Sequence, residues 1–254
     1  MYSAAEVDRA LELVEHGHNL SQVSRITGAS RAAIRSWRRG EIPGRQGRPR
    51  TTCMRCQSEN LTFQWAREHA YAYLLGLYLG DGHLSEHPRS HRLRIHLDRS
   101  YPQIIAECAA AISLVMPRNV VQVQERRDGF VNEVSGYSQH WPCLFPQHGP
   151  GMKHARAIYL ASWQREICDR YPHRLLRGLI HSDGCRSLNT ICGPKKTYVY
   201  PRYEFSNRSD DIRGIFCEYC DKVGVEWRRM GRWNISVARR DSVALMDTFI
   251  GPKR

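Results

Sequence analysis

A nine-residue string occurs twice in this chain and constrains the fold more than any other feature. The first copy, LLGLYLGDG, covers residues 74–82, and the second, LRGLIHSDG, covers residues 176–184. Both follow the pattern Leu-x-Gly-Leu-x-x-small-Asp-Gly, so each copy carries one carboxylate, Asp81 or Asp183, at the same place. The repetition predicts two similar halves that meet at a shared seam, and each half brings one acid to that seam.

The charge balance narrows the class of partner. Among 254 residues, lysine and arginine outnumber aspartate and glutamate by 38 to 25, which gives a net charge of +13. This excess predicts a polyanionic partner, with double-stranded DNA ahead of an anionic membrane. No apolar run approaches the ~18 residues of a membrane-spanning helix. Nine cysteines, an odd number, without a secretory signal predict reduced thiols and a cytoplasmic protein.

The first forty residues predict three short helices, the second over about 20–27 and the third over about 30–39. Gly28 supplies the sharp turn between the last two, and Ile34 and Trp37 face inward. This spacing resembles a helix-turn-helix DNA-binding domain over residues 1–40, whose third helix enters the major groove. The DNA contacts of that helix would be Arg31, Arg35, Arg38 and Arg39. A small helical bundle with a solvated arginine face is the alternative.

Residues 41–65 predict a basic linker, because proline and glycine interrupt any apolar periodicity there. The piece Gly47-Arg48-Pro49-Arg50 looks like the extended arms that place arginine in the minor groove of DNA. A plain charged linker explains Arg48 and Arg50 almost equally well.

Two cysteine pairs raise the question of zinc. Cys53 and Cys56 have the spacing of half a tetrahedral site, which Cys143 with His148, or His154, would complete. Two ordinary thiols are the alternative. Cys217 and Cys220 fall on the apolar positions of a helix-period segment, so we expect them in the core.

Each nine-residue copy ends a predicted helix. Gly76 and Gly80, like Gly178 and Ser182, place small residues four apart on one helix face, which predicts close packing of the two helices. Asp81 and Asp183 then lie at helix C-termini, where a negative charge is disfavoured and where the two acids repel each other. A divalent cation would offset both effects. The alternative is that Asp-Gly only ends each helix as a turn.

The two strings resemble the paired motifs of single-chain LAGLIDADG homing endonucleases. The resemblance covers about residues 66–250 and departs from the family at Leu79 and His181, where an acidic residue is usual. It implies that Asp81 and Asp183 are catalytic and bind Mg²⁺ or Mn²⁺, and that Gly80 and Ser182 offer main-chain carbonyls to the metal. It further implies an α+β domain over residues 66–254, a pseudo-symmetric duplicated αββαββ unit with two antiparallel DNA-facing sheets.

The chain outside the motifs supports this duplication. Each half shows an alternating strand, a helix over about 101–115 or 210–223, and two further strand candidates, in repeats of about 66–150 and 165–250. The further candidates are 120–124 with 130–135, and 225–229 with 233–238. The second half carries a longer insertion, 186–200, whose Lys195-Lys196 reads as a hairpin tip that touches phosphates.

The resemblance places basic side chains of the sheets on DNA. Candidate contacts are Arg92, Arg94, His96, Arg202, Arg228, Arg229, Arg239 and Arg240. Solvated faces account for some of them as well. Family members also use a basic residue near the metals, for which Lys195, Lys196, Arg239 and Arg240 are the candidates.

The prediction is a monomer with internal pseudo-two-fold symmetry that cleaves both strands of a specific DNA site with a divalent metal. A transcription regulator of the same fold that binds without cutting is the second hypothesis, since the fused helix-turn-helix favours it. An RNA splicing cofactor is the third, and it would prefer structured RNA.

Overall fold

The computed structural model describes residues 4–38, 65–126, 129–193, 196–251 and 253. Six residues with predicted functions lie outside this part of the chain. They are Arg39, Arg48, Arg50, Cys53, Cys56 and Lys195. The chain divides into two compact units, residues 1–52 and 53–254.

The first unit contains three helices, as the sequence predicts. They are α1 (Ala4–Glu15), α2 (Leu20–Thr27) and α3 (Arg31–Arg38). Asn19 caps α2, since its side chain accepts from the backbone N–H of Gln22 while the Gln22 side chain accepts from the backbone N–H of Asn19. Gly28 ends that helix at a φ of 72°. Ile34 and Trp37 of α3 are buried in a core with Val7, Ala10 and Val23.

The second unit repeats one topology twice. Its helices are α4 (Trp65–Asp81), α5 (Pro102–Val115), α6 (Trp141–Leu144), α7 (Ser162–Arg170), α8 (Pro172–Asp183), α9 (Asp210–Lys222) and α10 (Arg240–Phe249). Its strands are β1 (Gly82–His87), β2 (Ser90–Asp98), β3 (Val121–Glu125), β4 (Val131–Ser138), β5 (Gly184–Cys192), β6 (Thr197–Ser206), β7 (Arg228–Met230) and β8 (Asn234–Val237). The two antiparallel sheets have the orders β1-β2-β4-β3 and β5-β6-β8-β7. The predicted α+β, pseudo-symmetric fold is therefore confirmed.

Alternating side chains give each sheet an apolar and a polar face. In β2, Leu93, Ile95 and Leu97 are buried, while Arg92, Arg94 and His96 lie on the opposite face. The apolar faces pack on the helices in one continuous core, which also buries Cys217 and Cys220 as predicted. No helix in the described ranges combines the length and apolarity that crossing a bilayer requires.

Helices α4 and α8 form the seam between the halves, and glycine permits their contact. A Cβ added to Gly76 would lie 2.5 Å from the carbonyl oxygen of Leu175 and 2.8 Å from the Cα of Gly178. A Cβ added to Gly80 would lie 2.5 Å from the Cβ of Ser182. The backbones therefore approach as closely as the small-residue spacing predicts.

The segment 186–200 forms most of the β5–β6 hairpin, paired from Gly184↔Phe205 to Cys192↔Thr197, so the predicted hairpin is confirmed. One other predicted feature of the second half is wrong. The predicted strand 225–229 begins only at Arg228. Residues before it complete the end of α9, where Gly224 has a φ of 76° and the Val225 N–H donates to the Cys220 carbonyl. This helix termination uses the backbone groups that a strand ladder would need.

Candidate metal centre

Asp81 and Asp183 are the last residues of α4 and α8, and the seam brings them together. A Cβ on Gly80 would lie 3.0 Å from the carboxyl carbon of Asp183. Each acid directly precedes the first strand of its half, so the turn from helix to strand positions it. The arrangement concentrates two carboxylates at two helix C-termini, where the helix dipoles already place negative charge.

The surroundings disfavour ionisation of both acids. Burial raises the pKa of Asp81 from 3.8 to about 7, with repulsion from Asp183 as the second cause. Burial also raises the pKa of Asp183, whereas a hydrogen bond from Asn207 lowers it in part. The Asn207 amide donates to the Asp183 carboxylate at 2.5 Å. Among the described residues, no side chain donates a comparable hydrogen bond to Asp81, so the two halves differ at this point.

Lys153 lies at the end of α4 and offsets this charge. Its ammonium donates to the carbonyls of Tyr78, Leu79 (3.0 Å) and Gly80 (2.9 Å). These are carbonyls that the helix end leaves without an intrahelical partner. Burial lowers the pKa of Lys153 to about 8, and attraction to the two aspartates opposes the shift.

Lys253 has the corresponding place in the second half. Its ammonium donates to the carbonyl of His181 in the last turn of α8 at 3.0 Å. Burial lowers the pKa of Lys253, and Asp81 raises it. Two lysines therefore accompany the two acids: Lys153 donates to three main-chain carbonyls at the end of one seam helix, and Lys253 donates to one at the end of the other.

The sequence interpretation passed over both lysines, although a signal for them exists. Lys153 ends Gly-Met-Lys, and Lys253 ends Gly-Pro-Lys. The glycines before them, Gly151 and Gly251, have φ values of 75° and 68°. A Gly-x-Lys string thus recurs at nearly the same distance after each aspartate, as a second duplicated element.

The basic residues predicted near the metal lie elsewhere, where described. Arg239 forms an ion pair with Glu226 at 2.5 Å and, with Arg240, lines a groove between β6, β7 and α10. Lys196 is exposed at the β5–β6 hairpin tip, with its ammonium 5.6 Å from the centre of the Tyr198 ring. The structure gives Lys153 and Lys253 the positions next to the acids instead.

The donor set suits a hard cation. Asp81 and Asp183 offer carboxylate oxygens and the helix ends offer main-chain carbonyls, which are the ligands that Mg²⁺ and Mn²⁺ prefer. The Gly80 carbonyl accepts from Lys153, and the Ser182 hydroxyl donates to carbonyls of its own helix. No cluster of three or more His, Cys, Asp or Glu ligands occurs in the described residues.

The polar faces of the sheets carry many of the predicted DNA contacts. On the first sheet, Arg92 and Arg94 surround Glu133 of β4. On the second sheet, Arg202 pairs with Glu204 at 2.6 Å, and Arg228 and Arg229 are exposed on β7. We call these surfaces the first and second polar faces, defined by the side chains of β1–β4 and of β5–β8 that point away from the helices.

The described half of the proposed zinc set is compact in sequence. Cys143 lies on α6 and is half-buried, and His148 follows in the next loop, where its backbone N–H donates to the Phe145 carbonyl. The rings of His91 and His148 are 6.3 Å apart. His154 is exposed. The metal itself remains a prediction.

On the separate first unit, the described arginines of α3 have the accessibility that DNA binding needs. Arg31, Arg35 and Arg38 are exposed, while Ile34 and Trp37 on the same helix are buried.

A duplicated αββαββ domain in which an acid ends each of the two central helices has the fold of the single-chain, two-motif LAGLIDADG homing endonucleases. The solved structure of mesophilic variants of the homing endonuclease I-DmoI has this fold: it matches over 73% of this chain and 97% of its own, with a TM-score of 0.50. Its sequence identity to this chain is 15%. The likeness therefore establishes the fold.

Further structures of the family match as well. I-DmoI in complex with DNA and Mn is 15% identical, covers 72% of this chain and 97% of its own, and has a TM-score of 0.48. I-WcaI bound to its DNA recognition sequence is 12% identical, covers 82% and 91%, and has a TM-score of 0.45. No protein-family model and no curated protein matches the sequence.

Proposed function

We propose that this protein is a sequence-specific, divalent-metal-dependent DNA endonuclease that cleaves both strands. The observation that carries the proposal is the pair Asp81 and Asp183, which the seam holds together although burial and repulsion oppose their ionisation. Helix ends alone would not require two half-buried acids whose charges repel each other. The fold shared with the homing endonuclease I-DmoI supports the same reading.

Each residue of the centre has a distinct role in this proposal. Asp81 and Asp183 hold Mg²⁺ or Mn²⁺, with the carbonyls of Gly80 and Ser182 beside them. The bound cation lowers the pKa of water and stabilises charge on the phosphate. Lys153 and Lys253 reduce the repulsion between the acids and the DNA backbone. Asn207 holds the carboxylate of Asp183 in one orientation through its hydrogen bond.

The remaining basic residues would hold DNA. The first and second polar faces contact one half-site each, and arginine contacts to phosphate set the register. The exposed arginines of α3 would enter the major groove as a helix-turn-helix, which adds a second DNA-binding unit to the chain. The expected state is a monomer, since one chain supplies both acids.

A non-cleaving transcription regulator is the second candidate. The observation that favours it is the separate helical unit with Arg31, Arg35 and Arg38 exposed on one helix. The two acids favour the endonuclease, because binding alone does not require them.

Selection of bound sites from random duplex DNA, followed by addition of Mg²⁺ or Mn²⁺, tests the proposal. We expect double-strand cuts within the selected site, and we expect Asp81→Asn and Asp183→Asn to bind that site without cutting it. Asp241→Asn, which removes an exposed acid of α10, serves as the matched control and should cut normally. Specific binding by the wild type without cleavage in either metal would favour the regulator.

We propose in addition that Cys143 and His148 bind structural zinc together with Cys53 and Cys56. Metal analysis of the purified protein should find about one zinc per chain, and Cys143→Ser should lower that content. Cys168→Ser, which changes a buried core thiol outside this set, should leave the zinc content unchanged. Purified wild type without zinc would contradict this proposal and leave the endonuclease proposal standing.

A further inference from the structure

One carboxylate on the first polar face is surrounded by cations. Glu133 lies in the middle of β4, opposite His96 of β2, and only 2% of its side chain is exposed. Arg92 approaches one of its oxygens at 2.8 Å, and Arg94 and Arg126 approach the other at 2.5 and 3.3 Å. An acid at this place is unexpected, because the same face is proposed to meet the DNA backbone, which repels a carboxylate.

The geometry of Arg94 is more specific than that of a simple ion pair. Both its Nε and its Nη2 donate to the same Glu133 oxygen, at 2.8 and 2.5 Å. A guanidinium has five N–H groups, so three remain, on Nη1 and Nη2. The hydroxyl of Ser85 is 3.5 Å from Nη1, at the limit of a hydrogen bond. Glu133 thus fixes one edge of the guanidinium and leaves the Nη1–Nη2 edge to a ligand.

A pair of parallel N–H donors held in one plane matches guanine. The major-groove edge of guanine presents two acceptors, O6 and N7, and bidentate arginine is the commonest specific contact to it. A long arginine side chain that is already immobile loses less conformational freedom when it binds than a free one does. Glu133 would therefore increase discrimination between bases, although its charge lowers the attraction to phosphate.

We propose that Glu133 is a positioning residue that holds Arg94 for the reading of guanine in the half-site contacted by the first polar face. The inference rests on the proposed function, since it requires that this face meets the major groove. The second polar face lacks this arrangement in its described part: Glu204 is 21% exposed and pairs with Arg202 through a single contact of 2.6 Å. The two half-sites should therefore differ in how strongly they depend on one acid.

Base preferences of the wild type and of Glu133→Gln, measured by selection from random duplex DNA, test the proposal. The wild type should prefer guanine at one position of one half-site. In Glu133→Gln, the preference for guanine over the other bases at that position should fall by about 5-fold to about 150-fold, which is the discrimination that one bidentate contact usually provides. The preferences in the other half-site should not change, and this serves as an internal control for folding.

The affinity for unrelated DNA distinguishes positioning from general damage. Because Glu133→Gln removes one negative charge from the DNA-facing surface, its non-specific affinity should rise or stay level and not fall. Glu166→Gln makes the same charge change on the exposed side of α7 and should leave the guanine preference intact. Arg94→Lys keeps the charge but cannot form the bidentate contact, so it should lose the same guanine preference as Glu133→Gln.

Several outcomes would overturn the inference. An unchanged guanine preference in Glu133→Gln would show that the contact between Glu133 and Arg94 does not act in base recognition. A loss spread over both half-sites would identify Glu133 as a folding residue. A wild-type protein that selects no sequence at all would overturn the proposed function, and the inference with it.

Discussion

Replacement of Asp81 by asparagine should stabilise the protein in the absence of metal. Burial and the neighbouring Asp183 raise the pKa of Asp81 from 3.8 to about 7, so the folded protein above pH 7 contains a carboxylate that the surroundings disfavour. One pKa unit corresponds to about 1.4 kcal/mol, so this shift corresponds to about 4 kcal/mol. Asparagine carries no charge but needs hydrogen bonds of its own, and we therefore expect a gain of about 2–4 kcal/mol.

The stability of the wild type should depend on pH, because the pKa of Asp81 differs between the folded and unfolded states. Because the folded pKa lies above the unfolded one, the folded state binds the proton more tightly. Wild-type stability should therefore fall as pH rises from about 4 to about 7 and stay level, for this group, above that. The advantage of Asp81→Asn should be full at pH 8 and absent at pH 4.

Thermal unfolding in a chelator, at pH 4 and pH 8, measures the effect. About 1 kcal/mol shifts the Tm of a domain of this size by roughly 2–4 °C, so we expect a rise of about 4–16 °C at pH 8. Asp183→Asn should gain less, because Asn207 already stabilises that carboxylate, and Asp241→Asn should show little change. Added Mn²⁺ should stabilise the wild type and not Asp81→Asn. An equal gain at both pH values, or none at pH 8, would refute the electrostatic reasoning.

Three further predictions concern the seam and the acids. Gly76→Ala should destabilise the protein by about 1–3 kcal/mol in denaturant unfolding, because the new methyl group meets the backbone of α8. The control Gly214→Ala on α9, where an added Cβ has nothing within 4 Å, should be neutral or stabilising. Equal effects of the two substitutions would contradict the close packing of α4 and α8. The affinity for Mn²⁺, measured by calorimetry, should fall about tenfold per pH unit below the Asp81 pKa of about 7, because proton and metal compete for that carboxylate, and a level affinity from pH 5.5 to 8 would argue against it. Lys153→Met should raise the pH below which the Mn²⁺ affinity falls, since the Lys153 ammonium lowers the pKa of both acids. The control Lys196→Met, at the exposed hairpin tip, should leave that pH unchanged. Identical profiles for the two variants would show that Lys153 does not act on the two acids.

Much of the fold and the centre of the site are local properties of the sequence. The nine-residue repeat predicts two helices with small residues on one face, and helices α4 and α8 pack through those residues. It also places each acid at a helix end, because the motif contains both the last turns of the helix and the Asp-Gly pair at which the helix ends. Alternation in β2 predicts which side chains face the core. These predictions succeed because they depend on neighbours within a few turns or a few strand residues.

The tertiary structure decided which residues surround the acids and how the polar faces are arranged. Lys153 lies 72 positions after Asp81 and Lys253 lies 70 after Asp183, and no helical or strand periodicity connects residues at such distances. The Glu133 cluster likewise depends on the register between β2 and β4, which sets Glu133 opposite His96. Charge type alone does not predict these contacts, because 38 lysines and arginines compete for them. A side chain acquires its partner only when the packing of distant segments fixes both positions, and here that packing fixes the surroundings of two acids, two lysines and one buried glutamate.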